Sequence, residues 1–456
     1  MKKILCLLLI LTLALPLFSC ESSRSYINGV NLKDYVIVYA EEDGEYALRA
    51  AEYIKDTIDQ RVGITLTLVE DDEAEARKNE IVVGNTNRPI SEKLEAECVG
   101  LQFAMLADGG SIALEADYFI IAAAAYFFVE TCVPMKNFEA TVPEETKVHD
   151  PIVKEAKNYI LLIGDGMGEY QTKIFDYVEN DIEYGDGEDI FYGYLLPYQG
   201  YSRTASLSGV TDSAAGGTAL ACGYKTYNEY IGRDENLNDI TSLTELACTL
   251  GMAGGVMSTE TDSGATPASF STHADSRNSS KDIVQGQAAA KQKFGMNIHC
   301  GFDYTDKKYV EREVEGNIIE MLETLSANEN GFFLMYEEAH IDKHCHSNSL
   351  SKTMKAVVRF NQAIARFMEY AFYNPDTFVL ITADHETGDL YPNEEGVLEY
   401  HHDDHTGANV RIFAYGDGAE LFDGVEIENI QIPQTIAYFM GVDNFGDQSV
   451  YKHLGK

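Results

Sequence analysis

Three apolar runs beyond residue 157 each break off into metal-binding or acid–base side chains, and this pattern constrains the fold more than any other. Residues 159–163 lead into Gly164-Asp165-Gly166-Met167-Gly168, residues 332–335 lead to Glu337, and residues 378–381 lead to Asp384-His385. Apolar runs of this length read as strands buried on both faces, and in open parallel sheets ligands gather beyond the carboxyl ends of such strands. The runs predict a mostly parallel sheet with its donors converging at one edge. An isolated Asp after a strand more often caps a helix, so the weight lies in the set.

Two further segments have ligand spacing. Asp342 and His346 are four apart, which puts both on one face of a helical turn. His405 ends the run His401-His402-Asp403-Asp404-His405, in which His401 and His402 read as solvated loop residues. Asp165, Glu337, Asp342, His346, Asp384, His385 and His405 are oxygen or nitrogen donors without a thiolate among them, a set that suits catalytic zinc and magnesium. The nucleophile candidate is Ser213 in Thr211-Asp212-Ser213-Ala214-Ala215-Gly216-Gly217. Small residues after it allow close packing of a helix that starts there, and a helix N-terminus favours an alkoxide and a bound phosphate.

Charge excludes one class of partner. Against 34 basic side chains stand 74 acidic ones, a formal net of −40. Nucleic acid is bound through basic patches that displace counterions, so no nucleic-acid partner is expected. A site for an anionic substrate must here create its own positive field.

The N-terminus reads as an export signal. Lys2 and Lys3 precede an apolar run over residues 4–18, shorter than the roughly 20 residues a membrane span needs. Leu17-Phe18-Ser19-Cys20 resembles a bacterial lipoprotein cleavage site, which predicts a membrane anchor through lipid on Cys20 and a tether over 21–33. Six of the eight cysteines lie beyond it; Cys98 and Cys132 are either a disulfide or two free thiols.

Between these ends the chain divides. Residues 34–133 alternate strand-like and helix-like patterns, with a hairpin signal at Asp108-Gly109-Gly110, and read as a small α/β domain. Residues 35–40 and 80–89 resemble the small N-terminal domain of some bacterial glycoside hydrolases, which implies an accessory module. Residues 134–157 read as a linker, and 158–456 as one catalytic domain. The expected architecture is a three-layer α/β/α sandwich around a mostly parallel sheet, preceded by the small α/β domain.

Taken in chain order, Asp165-Gly166-Met167-Gly168, Asp212-Ser213-Ala214-Ala215, Ala265-Thr266-Pro267-Ala268 with Arg277 downstream, Glu337, Ile341-Asp342-Lys343 with His346, Ala383-Asp384-His385 and His405-Thr406-Gly407 resemble the alkaline phosphatase family. The resemblance runs from about residue 158 to the C-terminus. It implies hydrolysis of phosphorylated small molecules through a phosphoserine at Ser213. It implies a first zinc on Asp342, His346 and His405, and a second on Asp165, Asp384, His385 and the Ser213 oxygen. A third ion, magnesium in most relatives, would sit on Asp165, Thr266 and Glu337. Arg277 would clamp two phosphate oxygens, oriented by Asp212, and Lys343 would stand near the phosphate. Dimers are common in the family, which leaves a homodimer open.

Two departures from the family pattern carry expectations. Gly264 stands where the family usually has an Asp or His, which predicts a loosely held third ion and a Lys343 free to approach the phosphate, unless Asp262 reaches back. Only about twenty residues separate His385 from His405, too few for the insertion many relatives carry, which predicts an open site. Rival readings are a phosphodiesterase or sulfatase of the same superfamily, whose members generally lack Arg277 and the Thr266 and Glu337 pair, and an inactive glycan-binding surface protein, which a lost ligand would mark. None is lost.

Overall fold

The structure is a computed structural model that describes residues 24–94, 96–177, 190–301 and 310–455. The signal segment and Cys20 lie outside the described residues. No helix among the described residues is long and apolar enough to cross a membrane.

The apolar runs form the centre of an eight-stranded sheet. Its order is Asn297–Cys300, Ala253–Ser258, Phe332–Glu338, Asn158–Gly164, Thr377–Thr382, Val410–Tyr415, Tyr198–Arg203 and Glu426–Glu428. Only Val410–Tyr415 runs against its neighbours; the other pairings are parallel. Every residue of Asn158–Gly164, Phe332–Glu338 and Thr377–Thr382 is buried, as strands covered on both faces require. Because these three lie side by side in parallel register, Asp165, Glu337 and Asp384 emerge at the same edge. That edge is the site.

The small domain is a six-stranded sheet in the order Thr67–Glu70, Val36–Tyr39, Glu80–Val83, Ser111–Glu115, Phe103–Asp108 and Lys147–His149, backed by helices Gly44–Val62 and Ile121–Cys132. The expected hairpin is present: Gly109 and Gly110 both take positive φ, as a two-residue turn between Phe103–Asp108 and Ser111–Glu115 requires. Two short strands fall in the segments read as tether and linker. Tyr26–Ile27, in the segment read as tether, pairs with Val30–Asn31 and with Glu139–Ala140, while Lys147–His149, read as linker, is the edge strand beside Phe103–Asp108. Only residues 150–157 connect the two units. Strands of two or three residues carry too little periodicity to be seen in sequence. Cys98 and Cys132 are both free, so that pair forms no disulfide.

The two units share a wall, the helix Leu350–Tyr373. Phe119 of the small domain is fully buried between Tyr192 and Phe372, with ring centroids 5.0 and 6.0 Å away. Tyr53 stacks on Tyr373 at 4.1 Å, and Arg49 reaches Glu369 at 2.9 Å. Emptying a buried aromatic site of this kind costs about 3–5 kcal/mol. Phe119→Ala is therefore expected to lower the unfolding free energy by about that amount, measured by denaturant titration. A loss below about 1 kcal/mol would mean that the domains are not packed as a unit.

Candidate metal and catalytic site

The helix Ser213–Cys222 starts at the sheet edge, and Asp212, not Ser213, is its cap: Asp212 Oδ1 accepts from the Ala215 N–H at 2.9 Å. This leaves the Ser213 hydroxyl free of the capping role, aimed at His385 Nε2 at 3.3 Å. The run of small residues after Ser213 works as expected. A Cβ added at Gly216 would lie 3.1 Å from the Asp384 carbonyl oxygen, and one at Gly217 3.2 Å from Thr266 Cα, so a side chain at either position would press on the backbone that carries these residues.

Two donor clusters converge beside this serine. Asp342, His346 and His405 form one, and Asp165, Asp342 and His385 form the other. In the first, His346 Nε2 and His405 Nε2 lie 3.4 and 3.5 Å from Asp342 Oδ1 and 3.1 Å from each other. His346 Nδ1 faces the Asp403 carbonyl at 2.7 Å and His405 Nδ1 the Thr211 carbonyl at 2.9 Å, which assigns the proton to Nδ1 in both. Both Nε2 lone pairs then point at one spot, an arrangement that repels unless a cation stands between them.

His385 behaves alike. Its Nδ1 meets Thr387 Oγ1 at 3.3 Å, while that hydroxyl donates to Asp342 Oδ1 at 2.6 Å. The imidazole proton is thus held on Nδ1, and Nε2 faces Asp384 Oδ2 at 3.2 Å and Asp165 Oδ1 at 3.6 Å. Asp165 Oδ1, Asp384 Oδ2 and Thr266 Oγ1 are buried without a well-formed hydrogen bond. Buried polar atoms are rarely left so, and these three point to missing ligands. Glu337 lies beside Thr266 and accepts from the Ser258 hydroxyl. The donor set fits divalent cations.

The electrostatics agree. Burial, then the Asp384 charge, holds Asp165 well above the usual carboxylate range. Burial lifts Glu337 to about 8 and, with the Asp342 charge, lifts Asp384 to about 6. Burial opposes ionisation of Asp342 as well, yet the His405 hydrogen bond and the neighbouring histidine charges hold it well below its ordinary value. Burial depresses His385 to about 3, while Asp342, against the cost of burial, raises His405 to about 9. A proton at His405 does in part what a metal ion would do better.

The phosphate-side residues also meet. Arg277 Nη1 reaches Asp212 Oδ2 at 3.2 Å. Lys343, which the sequence left free to approach the phosphate, pairs here with Glu260. A Cβ on Gly264 would overlap Glu260 Cγ, so the glycine leaves room for the stem of a side chain that arrives from four residues upstream. An Asp at 264 would collide with it. His401 and His402 are exposed, and His401 stacks on Tyr391 instead of joining the donors. Thr387, Glu260 and Ser258 were missed in the sequence. Thr387 alone had a signal, two residues past His385 and so on the same face of an extended segment.

Fold and site together define a metal-dependent hydrolase built on an α/β/α sheet. The family model for alkaline phosphatase matches residues 156–299 and 313–397, half of the chain, and the protein belongs to the alkaline phosphatase family. Alkaline phosphatase 3 of Bacillus subtilis is 28% identical over 313 residues, covering 58% of this chain and 67% of that relative. The chain thus spans about two thirds of the length of that relative. The alkaline phosphatase of the Antarctic bacterium TAB5 superposes with a TM-score of 0.54 at 25% identity, over 63% of this chain and 99% of that one. A mutant of the TAB5 enzyme, solved with Mg bound in its M3 site, shares the fold at a TM-score of 0.53 and 24% identity, over 64% of this chain and 100% of that one.

Groups with raised proton affinity must ionise to hold metal, so uptake expels protons and strengthens as pH rises. With Asp384 near 6, Glu337 near 8 and His405 near 9, divalent-metal affinity of the stripped protein is expected to climb steadily from about pH 6 to about pH 9. Calorimetry in two buffers of different ionisation enthalpy should show net proton release on binding. An affinity indifferent to pH would contradict the assignment.

Proposed function

We propose that the protein hydrolyses phosphate monoesters of small molecules through a phosphoserine at Ser213. The observation that carries this reading is the placement of one hydroxyl, at a helix N-terminus, 3.3 Å from His385 Nε2 and one residue from the carboxylate that holds Arg277. Asp342, His346 and His405 would hold one zinc, Asp165, Asp384 and His385 with the serine oxygen a second, and Asp165, Thr266 and Glu337 a third ion, magnesium. Such ions supply Lewis-acid charge that favours the serine alkoxide and the departing oxygen.

The chain's own groups do the rest. Ser213 Oγ attacks phosphorus, the ester P–O bond breaks and the alcohol leaves with a proton; water then cleaves the Ser213 O–P bond, giving inorganic phosphate and the free serine. Arg277 meets the phosphoryl oxygens with its planar fork, and Asp212 fixes its approach. The N-terminus of Ser213–Cys222 would add the positive end of its helix dipole at the same phosphate. In a chain of net charge −40, this confines a positive field to one edge. We also infer export and a lipid anchor at Cys20, on the strength of Lys2, Lys3 and the apolar run that ends at that cysteine.

Ser213→Ala is expected to abolish turnover of an aryl phosphate while metal content stays at the wild-type level, read by elemental analysis beside the kinetic assay. Residual turnover above about a tenth of wild type would show direct attack by water instead. Parallel assays with an aryl diester and an aryl sulfate should give far lower kcat/KM than the monoester; the reverse order would move the protein to another branch of its superfamily.

A further inference from the structure

We infer that Glu229 is a positioning residue for the Arg277 clamp, an inference that rests on Arg277 gripping phosphate as proposed above. Glu229 adopts φ +75, a left-handed conformation that residues with a Cβ seldom take. Both of its backbone polar groups are spent on the site. Its N–H donates to Asp212 Oδ2 at 3.0 Å, and its carbonyl accepts from the Arg277 N–H at 2.7 Å. Asp212 Oδ2 is the same oxygen that holds the guanidinium, and Asp212 Oδ1 is occupied by the start of the nucleophile helix. The carboxylate, the guanidinium and the serine are therefore tied into one unit through residue 229.

The neighbours reinforce this unit. Glu229 Oε2 accepts from Ser276 Oγ at 3.0 Å, immediately before Arg277. Asn228 Nδ2 donates to the Val210 carbonyl at 3.0 Å, Asn228 Oδ1 accepts from Ser206 Oγ at 2.6 Å, and its N–H donates to Ser208 Oγ at 3.0 Å. Two consecutive residues thus lash the loop that carries Asp212 and Ser213 to the segment that carries Arg277. Strain at a residue with no contact to the metal ligands has a use here: the left-handed turn directs one peptide donor and one acceptor at the two groups that must keep their mutual geometry.

Glu229→Val tests it, because a β-branched side chain resists φ +75. With zinc content unchanged, inhibition by inorganic phosphate should weaken about tenfold or more, and in an Arg277→Ala background the same substitution should add nothing. A folded, zinc-loaded Glu229→Val protein inhibited as tightly as wild type overturns the inference. So does an equal loss in the Arg277→Ala background, which would show action by some other route. Glu229→Gly removes the strain and is expected to melt at or above the wild-type temperature; melting below it overturns the strained-hub account even where Glu229→Val does not fold. Wild-type protein that neither turns over a monoester nor is inhibited by phosphate would sink the parent reading instead.

Discussion

Mutual repulsion among buried carboxylates governs this structure. Asp165, Glu337, Asp342 and Asp384 are each more than nine-tenths buried and close enough to perturb one another. Like charges in such surroundings cannot all stay ionised without a cation among them. Three imidazole Nε2 atoms face the same space, and their Nδ1 protons are fixed by the Asp403 and Thr211 carbonyls and by Thr387. The protein thus folds around sites that divalent ions complete.

The surrounding architecture serves this demand. Parallel register puts three acidic strand ends at one edge, and the glycines of the nucleophile helix bring Ser213 against the Asp384 segment. Behind the sheet, the helix Leu350–Tyr373 is covered by the small domain through Phe119 and Tyr53. Glu260 shows how a local loss is absorbed. With no side chain at Gly264, the Glu260 stem passes beside it and its carboxylate pairs with Lys343.

Much of this was legible in the sequence. The central sheet and its donors were visible because they rest on long apolar runs and on a four-residue helical spacing, both set by local periodicity. The start of the helix at Ser213 was visible too, although its cap proved to be Asp212. The Glu260 and Lys343 pair was not, because it depends on the shape of a loop between residues 258 and 265. The same holds for Glu229, whose role lies in backbone direction and leaves no mark in residue type. The short strands at Tyr26–Ile27 and Lys147–His149 escaped notice because two or three residues carry too little periodicity, and because Glu139–Ala140 and Phe103–Asp108, which they pair with, lie more than forty residues away in sequence.

Two donor clusters share the edge beside Ser213, and each is expected to hold a cation. Anomalous diffraction at the zinc edge from crystals of zinc-loaded protein tests it most directly. One strong peak is expected about 2.0–2.1 Å from the Nε2 atoms of His346 and His405, with Asp342 as a further ligand. A second is expected among Asp165, Asp384, His385 and the Ser213 oxygen. A single peak, or zinc bound away from Ser213, would contradict it.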